Sequence, residues 1–137
     1  MKYELLSTRH AKYLLHAHLV FTPKYRKKIF TKAHFKLMKE VFTDICEKFD
    51  SKLVEFDGER DHVHLLVLYP PRVSIASLVN SLKGVSSRML RKQFDVFKKT
   101  YCGDQMALWS RSYFAASVGG APIEILRQYI EQQDTPT

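Results

Sequence analysis

The sequence predicts an α+β fold: a ferredoxin-like βαββαβ antiparallel sheet, covered by helices on one face, with one added C-terminal helix. Three observations support this prediction. Residues 13–21 alternate apolar and polar side chains, and residues 61–68 end in the apolar run of a buried strand. Residues 31–50 and 74–89 repeat apolar side chains every three or four positions, as amphipathic helices do. The elements follow the order strand, helix, strand, strand, helix, strand, helix.

The first strand and the first helix are joined by a basic loop. Along residues 13–21, the apolar side chains face one side, and His16 and His18 face the other. The loop at residues 22–28 contains a proline, which ends a strand, and four cations around one tyrosine. Such a loop could contact phosphates and stack on a base. The helical period then begins and runs over residues 31–50.

A β-hairpin follows the first helix. Its first strand begins at Leu53, and residues 58–60 supply a turn before the chain returns. Because successive side chains of a strand point to opposite faces, His62 and His64 share one face of the returning strand. Asp61 is expected on the other face, together with the apolar residues that alternate with the histidines.

The remaining elements complete the predicted order. Ser74 is a suitable N-cap for the second helix. Residues 95–112 lack a clear period and are predicted to be irregular, and residues 113–118 resemble a fourth strand. Pro122 lies where helices commonly start, so residues 121–133 are predicted to form a short terminal helix.

The composition indicates one folded domain over residues 1–137, with residues 1–12 as an N-terminal arm. The chain is 45% hydrophobic and 26% charged, which is ordinary for a globular protein. Its 22 Lys and Arg against 14 Asp and Glu give a net charge of +8, which favours polyanionic partners such as nucleic acid. The sequence has no apolar run of signal-peptide or membrane-spanning length. We therefore expect a cytoplasmic protein with reduced cysteines and no membrane partner.

Two histidine pairs are candidates for metal binding. His62 and His64 have the same spacing as His16 and His18, and strand periodicity alone does not choose between the pairs. Carboxylates at alternate positions 55–61 lie near His62 in the sequence. A mixed set of imidazole and oxygen ligands suits divalent cations, which favours this pair modestly.

The terminal helix offers a second pair of polar side chains. Tyr129 and Gln133 are four residues apart and therefore lie one turn apart on the same side of a helix. From spacing alone, packing of Tyr129 and solvation of Gln133 remain the simpler interpretation. The sequence contains no phosphate-binding glycine loop, no dinucleotide-binding motif and no recognisable serine or cysteine nucleophile motif.

Five segments, taken in order, resemble the single-tyrosine HUH transposases, the enzymes of hairpin-ended insertion sequences and of related repeat-associated elements. The resemblance spans about residues 13–133. The segments are His18-Leu19-Val20-Phe21-Thr22-Pro23-Lys24-Tyr25-Arg26, Asp61-His62-Val63-His64-Leu65-Leu66, Ser81-Leu82-Lys83-Gly84-Val85-Ser86-Ser87-Arg88, Leu108-Trp109-Ser110-Arg111-Ser112-Tyr113-Phe114 and Tyr129-Ile130-Glu131-Gln132-Gln133.

This resemblance implies a chemistry. Tyr129 would attack a phosphodiester of single-stranded DNA, forming a 5′-phosphotyrosine and a free 3′-hydroxyl that later rejoins the strands. His62, His64 and Gln133 would hold Mg²⁺ or Mn²⁺. The resemblance thereby assigns metal binding to the second histidine pair. It leaves His18 as a residue that either sets the conformation of the site or contacts a metal ligand without binding the ion.

The resemblance also implies partners. These are single-stranded DNA with hairpin ends and a second copy of the chain, in a homodimer whose active sites are shared between chains. The candidate DNA contacts are Lys24, Arg26, Lys27, Lys83, Arg88 and Arg91 for the backbone and Tyr25 for base stacking. Two other functions stay open: a non-catalytic ferredoxin-like nucleic-acid-binding module, and a metal-dependent nuclease that uses water.

Overall fold

A computed structural model of the chain describes residues 6–7, 12–13, 15–101, 107–117 and 130–131. Within these residues, the main elements are β3 His16–Phe21, α1 Lys32–Lys48, β4 Lys52–Glu59, β5 His62–Leu68, α2 Ile75–Gln93 and β6 Phe114–Ser117, preceded by the short strands β1 Leu6–Ser7 and β2 Lys12–Tyr13. Four of the strands form a sheet in the order β4-β5-β3-β6, with every neighbouring pair antiparallel. The ferredoxin-like α+β prediction is confirmed.

The two central strands fix which side chains are buried. Leu19 of β3 lies opposite Leu65 of β5, and Phe21 lies opposite Val63. All four side chains are fully buried on the sheet face that the helices cover. Burial of a side chain of this size contributes about 1.5–3 kcal/mol, so the pairing register is strongly specified.

The two long helices contribute the other half of the core. Met38, Phe42 and Ile45 of α1 are buried, as their three- and four-residue spacing predicts. In α2, Leu78 and Leu82 are buried in the same cluster. The N-cap of α2 is as predicted, because the Ser74 hydroxyl accepts a hydrogen bond of 3.3 Å from the Ser77 N–H.

A third helix, α3 Asp95–Thr100, lies in the region predicted to be irregular. It has six residues, too few to give a clear period, and depends on tertiary packing for its stability. Phe97 is its buried anchor, with its ring centroid 6.1 Å from that of Phe30. The prediction for this segment was wrong because six residues are too few for a helical period to show in the sequence.

Two other boundaries differ from the sequence prediction. The short strands β1 and β2 pair antiparallel at the predicted N-terminal arm, and the first long strand begins at His16. Gly58 belongs to β4, and the turn lies at residues 60–61. A Cβ on Gly58 would lie 2.8 Å from the His62 carbonyl oxygen, so glycine here permits the close approach of β4 and β5.

The predicted terminal helix at residues 121–133 falls largely outside the described part of the chain. Ile130 and Glu131 are described, and both have helical geometry. In the described residues, no helix has both the length and the apolar character needed to cross a membrane.

His34 is a buried polar residue in the first turn of α1. Its Nδ1 accepts a hydrogen bond of 3.0 Å from the Thr31 N–H, which caps the helix. Its ring contacts Phe94 and Phe97 edge to face, with centroid distances of 4.5 Å to each. Burial lowers the pKa of His34 below its ordinary value of 6.5, so the ring is neutral at pH 7.

We predict that His34→Gln reduces the acid sensitivity of folding. The unfolded chain protonates His34 near pH 6.5 and the folded chain only below it, so this residue stabilises the fold above 6.5 and loses that effect as the pH falls. The variant keeps an acceptor for Thr31 but loses the ring contacts, at a cost of about 1–2 kcal/mol. Urea unfolding at about pH 7.5 and about pH 5 measures both effects. Equal losses of stability in the two proteins on acidification would contradict the prediction.

Candidate functional site

Both histidine pairs lie on the same face of the sheet, opposite the helices. In β3, His16 and His18 alternate with core residues, and in β5, His62 and His64 do the same. The register pairs Val20 with His64, so the two strands bring their histidines together across the sheet. The sequence correctly placed each pair on one face of its strand, but the pairing of strands was needed to bring the pairs together.

His64 contacts His18 directly. Nε2 of His64 lies 3.0 Å from Nδ1 of His18, and the ring planes are 17° apart. Burial is the main cause that lowers the pKa of His64, and His18 adds to it. A neutral imidazole is the form that binds metal, but its Nε2 faces His18 in this arrangement.

His62 contacts a carboxylate. Its Nδ1 lies 2.9 Å from Oδ1 of Asp61, so Nε2 is the ring nitrogen left for a metal ion. In metal sites, a histidine ligand commonly donates its other ring N–H to a carboxylate, which orients the ring. Strand alternation predicted Asp61 on the opposite face. That expectation was wrong because Asp61 lies in the turn before β5, where the alternation does not hold.

Carboxylates of β4 border the same face. Asp57 lies opposite His64, and Glu59 lies opposite His62. Within the described residues, the potential ligand atoms of Glu59, Asp61 and His62 lie within 4.8 Å of one another. This group differs from the predicted set of His62, His64 and Gln133, with which it shares only His62. The histidine face thus offers imidazole and oxygen donors that fit a divalent cation, with His62 in both sets.

The loop after β3 lies beside Asp61 and contains two residues with strained backbone conformations. Lys24–Arg26 form a tight 3₁₀ turn in which Tyr25 has φ 63° and Arg26 has φ 47°. Left-handed conformations of non-glycine residues cost roughly 1–2 kcal/mol each. Nε of Arg26 lies 3.3 Å from Oδ2 of Asp61, and its Nη1 donates a hydrogen bond of 2.8 Å to the carbonyl oxygen of Ile130. Sequence reasoning missed this internal role of Arg26.

Tyr129, the predicted nucleophile, and Gln133, the third predicted metal ligand, lie outside the described residues. Ile130, which follows Tyr129 directly in the chain, is described, and it contacts Arg26. The structure therefore brings together His18, His62 and His64, with Arg26 and Asp61 beside them.

The predicted DNA contacts fall into two groups. Tyr25 is 55% exposed at the tip of the loop, which leaves its ring accessible, and Lys24 and Lys27 flank it in partly buried positions. Arg88 and Arg91 of α2 line a cleft of about 320 Å³ together with Arg111. The loop and the cleft are two separate basic features.

Lys83 lines the same cleft but is tied to the protein. Its Nζ donates to the carbonyl oxygen of Ser110 at 2.6 Å, with those of Arg111 and Ser112 at 3.3 and 3.4 Å. Burial lowers the pKa of the Lys83 amine to about 8. Lys83 therefore joins α2 to the segment before β6, a role that helical periodicity did not indicate.

Cys46 is not a nucleophile of this site. It is fully buried in α1, and burial raises the pKa of its thiol to about 12. The thiol is therefore protonated at neutral pH, and the side chain packs in the hydrophobic core. The second cysteine, Cys102, lies outside the described residues.

Comparisons with known sequences agree with one another. Residues 11–133 match the family described as Transposase IS200 like. The chain is 32% identical over 127 residues to the transposase for insertion sequence element IS200 of Salmonella typhimurium, covering 93% of this chain and 82% of that protein. It is 29% identical over 121 residues to the ISDra2 transposase TnpA of Deinococcus radiodurans, covering 88% and 85%.

Two solved structures resemble the fold. The crystal structure of a candidate transposase from Deinococcus radiodurans R1 has a TM-score of 0.86 and 30% identity, covering 96% of this chain and 99% of that one. A REP-associated tyrosine transposase bound to a REP hairpin has a TM-score of 0.57 and 7% identity, covering 91% and 69%. The second likeness concerns the fold alone.

We predict that Lys83→Met makes the protein relatively less stable than the wild type as the pH rises from about 8 to about 10.5. In that range the unfolded wild-type chain binds the Lys83 proton and the folded chain does not, so wild-type stability rises with pH. Partial exposure limits the effect to the order of 1 kcal/mol. Urea unfolding across this range measures it, and a constant difference between the two proteins would oppose the assignment.

Proposed function

Because the chain belongs to the IS200-like transposase family, a family of DNA-processing enzymes, we propose that it cleaves and rejoins single-stranded DNA at the hairpin-bearing ends of a mobile element. The family match extends to residue 133 and so includes Tyr129, the proposed nucleophile. The histidine face of the sheet is the proposed location of the reacting phosphate.

One observation carries this proposal. Arg26 donates to the carbonyl oxygen of Ile130 and pairs with Asp61, which contacts His62. The residue that follows Tyr129 is therefore linked through two side chains to a proposed metal ligand. This link supports a site in which the tyrosine-bearing segment and the histidine strand act together.

The proposed reaction is a pair of transesterifications. The Tyr129 oxygen attacks the phosphorus, and the bond from phosphorus to the 3′-oxygen breaks. The phenolic proton passes to solvent or a nearby base, and the departing 3′-oxygen takes up a proton. A 5′-phosphotyrosine results, which a 3′-hydroxyl later attacks in the reverse sense. One ester replaces another, so the reaction needs no nucleotide hydrolysis, in keeping with the absence of a phosphate-binding glycine loop.

His62, His64 and Gln133 are the residues proposed to hold Mg²⁺ or Mn²⁺. When bound, the ion would stabilise negative charge and orient the phosphate for in-line attack. Imidazole suits Mn²⁺ better than Mg²⁺, which favours manganese with two histidine ligands. Asp61 would orient the His62 ring through Nδ1. His18 would have to give up its contact with His64 Nε2 if that nitrogen is to bind the ion.

The proposed DNA partner is a single strand with hairpin ends. The REP-associated relative of similar fold was solved with a REP hairpin, which makes a hairpin a reasonable probe for this chain. Tyr25 is exposed enough to stack on a base. The proposed backbone contacts are Lys24, Lys27, Arg88 and Arg91. Arg26 and Lys83, which were also predicted to contact the backbone, donate instead to carbonyl oxygens of the protein.

A water-dependent nuclease is the second candidate. The cluster of Glu59, Asp61 and His62 favours it, because oxygen-rich sites suit the metals that activate water. Such an enzyme would release free DNA ends and never become attached to its substrate. A non-catalytic binding module, in turn, would not cleave at all.

We also propose that the active protein is a homodimer in which the terminal segments are exchanged. In that arrangement, Tyr129 of one chain would lie beside the partner's His62 and the partner's His64. A short terminal helix depends on docking for its stability, and another copy of the same surface offers an equivalent docking site.

The nucleophile is tested by a covalent adduct. Incubating the wild type with single-stranded hairpin DNA and Mn²⁺, followed by denaturation, is expected to give a protein–DNA adduct. Tyr129→Phe, which removes only the attacking oxygen, is expected to lower the yield by a factor of about 10⁴ or more while hairpin affinity is retained. Denaturing electrophoresis measures the yield, and a set of hairpins with different flanks serves as substrate.

Each outcome separates the candidates. An adduct that persists in Tyr129→Phe would assign the nucleophile elsewhere. Free cleaved ends without any adduct would favour the nuclease, and binding without cleavage across the hairpin set would favour the non-catalytic module. If His62, His64 and Gln133 hold the metal, His64→Ala tested with Mn²⁺ is expected to abolish the adduct. If the cluster of Glu59, Asp61 and His62 holds the metal instead, the same variant is expected to keep its DNA-cleaving activity.

The shared site is tested by mixing two inactive variants. Tyr129→Phe and His64→Ala are expected to restore adduct formation together, because one of the two sites in a mixed dimer would contain both an intact Tyr129 and an intact His64. At equal amounts, up to half of the dimers are mixed, so activity should reach about a quarter of the wild-type value. Failure to complement, with subunit exchange verified by labelled chains, would assign a site built within one chain.

A further inference from the structure

We infer that Arg26 is a positioning residue, which clasps the segment after Tyr129 to the His62 side of the site. This inference rests on the proposed function, in which the segment that carries Tyr129 must lie beside the histidine strand. From the sequence, Arg26 was predicted only as a candidate contact to the DNA backbone. The geometry assigns its guanidinium a partner on each side within the protein.

The contacts form a continuous path. Nη1 of Arg26 donates to the Ile130 carbonyl oxygen at 2.8 Å, and Nε lies 3.3 Å from Oδ2 of Asp61. The other carboxylate oxygen, Oδ1, lies 2.9 Å from Nδ1 of His62. One carboxylate therefore faces the guanidinium with one oxygen and the imidazole with the other. The path joins residues 104 positions apart in the chain.

Burial makes this ion pair different from a surface one. The Arg26 and Asp61 side chains are 19% and 15% exposed, whereas those of the Arg72–Asp50 pair are 62% and 68% exposed. Solvent screens the exposed Arg72–Asp50 pair strongly and the largely buried Arg26–Asp61 pair much less. The Nε–H of Arg26 does not meet the geometry of a hydrogen bond, so charge carries the contact with Asp61, and Nη1 makes the directional bond.

The backbone of the loop is held in the conformation that delivers this side chain. Tyr25 and Arg26 both have positive φ, and the Arg26 N–H donates to the Pro23 carbonyl at 2.8 Å. The Lys24 N–H donates to the Leu108 carbonyl at 2.8 Å, and its carbonyl accepts from the Tyr101 hydroxyl at 3.1 Å. A loop fixed at both its amides and its carbonyls can maintain such strain, which is typical of functional sites.

The shape of the side chain explains why arginine is needed. A guanidinium is a rigid fork whose nitrogens point in different directions, so it can face Asp61 and Ile130 together. An ammonium is a single point and cannot keep both contacts from the same backbone position. The clasp works equally for an exchanged segment, because a swapped element remakes its contacts with the partner's Arg26.

The test compares Arg26→Gln and Arg26→Lys with Arg72→Gln, a matched loss of one arginine from an exposed ion pair. The first measurement is hydrogen exchange of peptides containing Ile130 and Glu131, without DNA or metal. Both Arg26 variants are expected to exchange about ten-fold faster or more there, as loss of a charged hydrogen bond predicts, and Arg72→Gln is expected to match the wild type. Equal exchange in all four proteins would overturn the clasp.

The second measurement is the rate of adduct formation at saturating hairpin DNA, with hairpin affinity measured separately. Both Arg26 variants are expected to lose about ten-fold or more in rate, with affinity changed by less than about three-fold. Reduced affinity with an unchanged saturating rate would overturn the inference and make Arg26 a DNA contact. If the wild type forms no adduct, the proposed function is contradicted. The hydrogen-exchange measurement at Ile130 and Glu131 then tests by itself whether Arg26 holds this segment.

A double variant separates the clasp from general damage to the fold. If Arg26 acts through Asp61, Arg26→Gln combined with Asp61→Asn should exchange no faster at Ile130 than Arg26→Gln alone. Additive effects would mean that the two side chains act independently, against the inference. If Arg26→Gln fails to fold, as judged by thermal unfolding, Arg26→Lys retains the charge beside Asp61 and carries the same comparison.

Discussion

The antiparallel register between β3 and β5 is the constraint on which the site depends. It places Leu19 against Leu65 in the core, and by the same alternation it directs His18 and His64 to the opposite face. A shift of one residue would bury the histidines and expose the core side chains, so packing and site geometry are specified together. The free energy of burying the apolar face thereby fixes the position of the polar one.

The positive charge of the chain serves two purposes. A net charge of +8 suggests a surface for nucleic acid, and exposed residues such as Arg88 fit that use. Lys83 and Arg26, in contrast, have carbonyl oxygens as partners, and their contacts tie separate segments of the chain together. Counting cations therefore overstates the charge available to DNA, since part of it stabilises the structure that presents the rest.

The success of the sequence prediction follows element length and periodicity. The long helices α1 and α2 and the strands β3 and β5 were predicted because each repeats its pattern over several residues. The short helix α3 and the paired strands β1 and β2 were missed, because two to six residues are too few for a period to emerge. Asp61 was assigned to the wrong face for a related reason: alternation ceases where the strand gives way to a turn.

The sequence by itself determined the order of the elements, the faces of the strands and the spacing of each histidine pair, because these depend on neighbours along the chain. It also carried the five segments that resemble single-tyrosine transposases. Only the tertiary structure decided that His18 contacts His64, 46 positions away, and that Arg26 reaches both Asp61 and Ile130. Such contacts depend on which strands are adjacent and on where loops close. The periodicity of the sequence specifies neither of these.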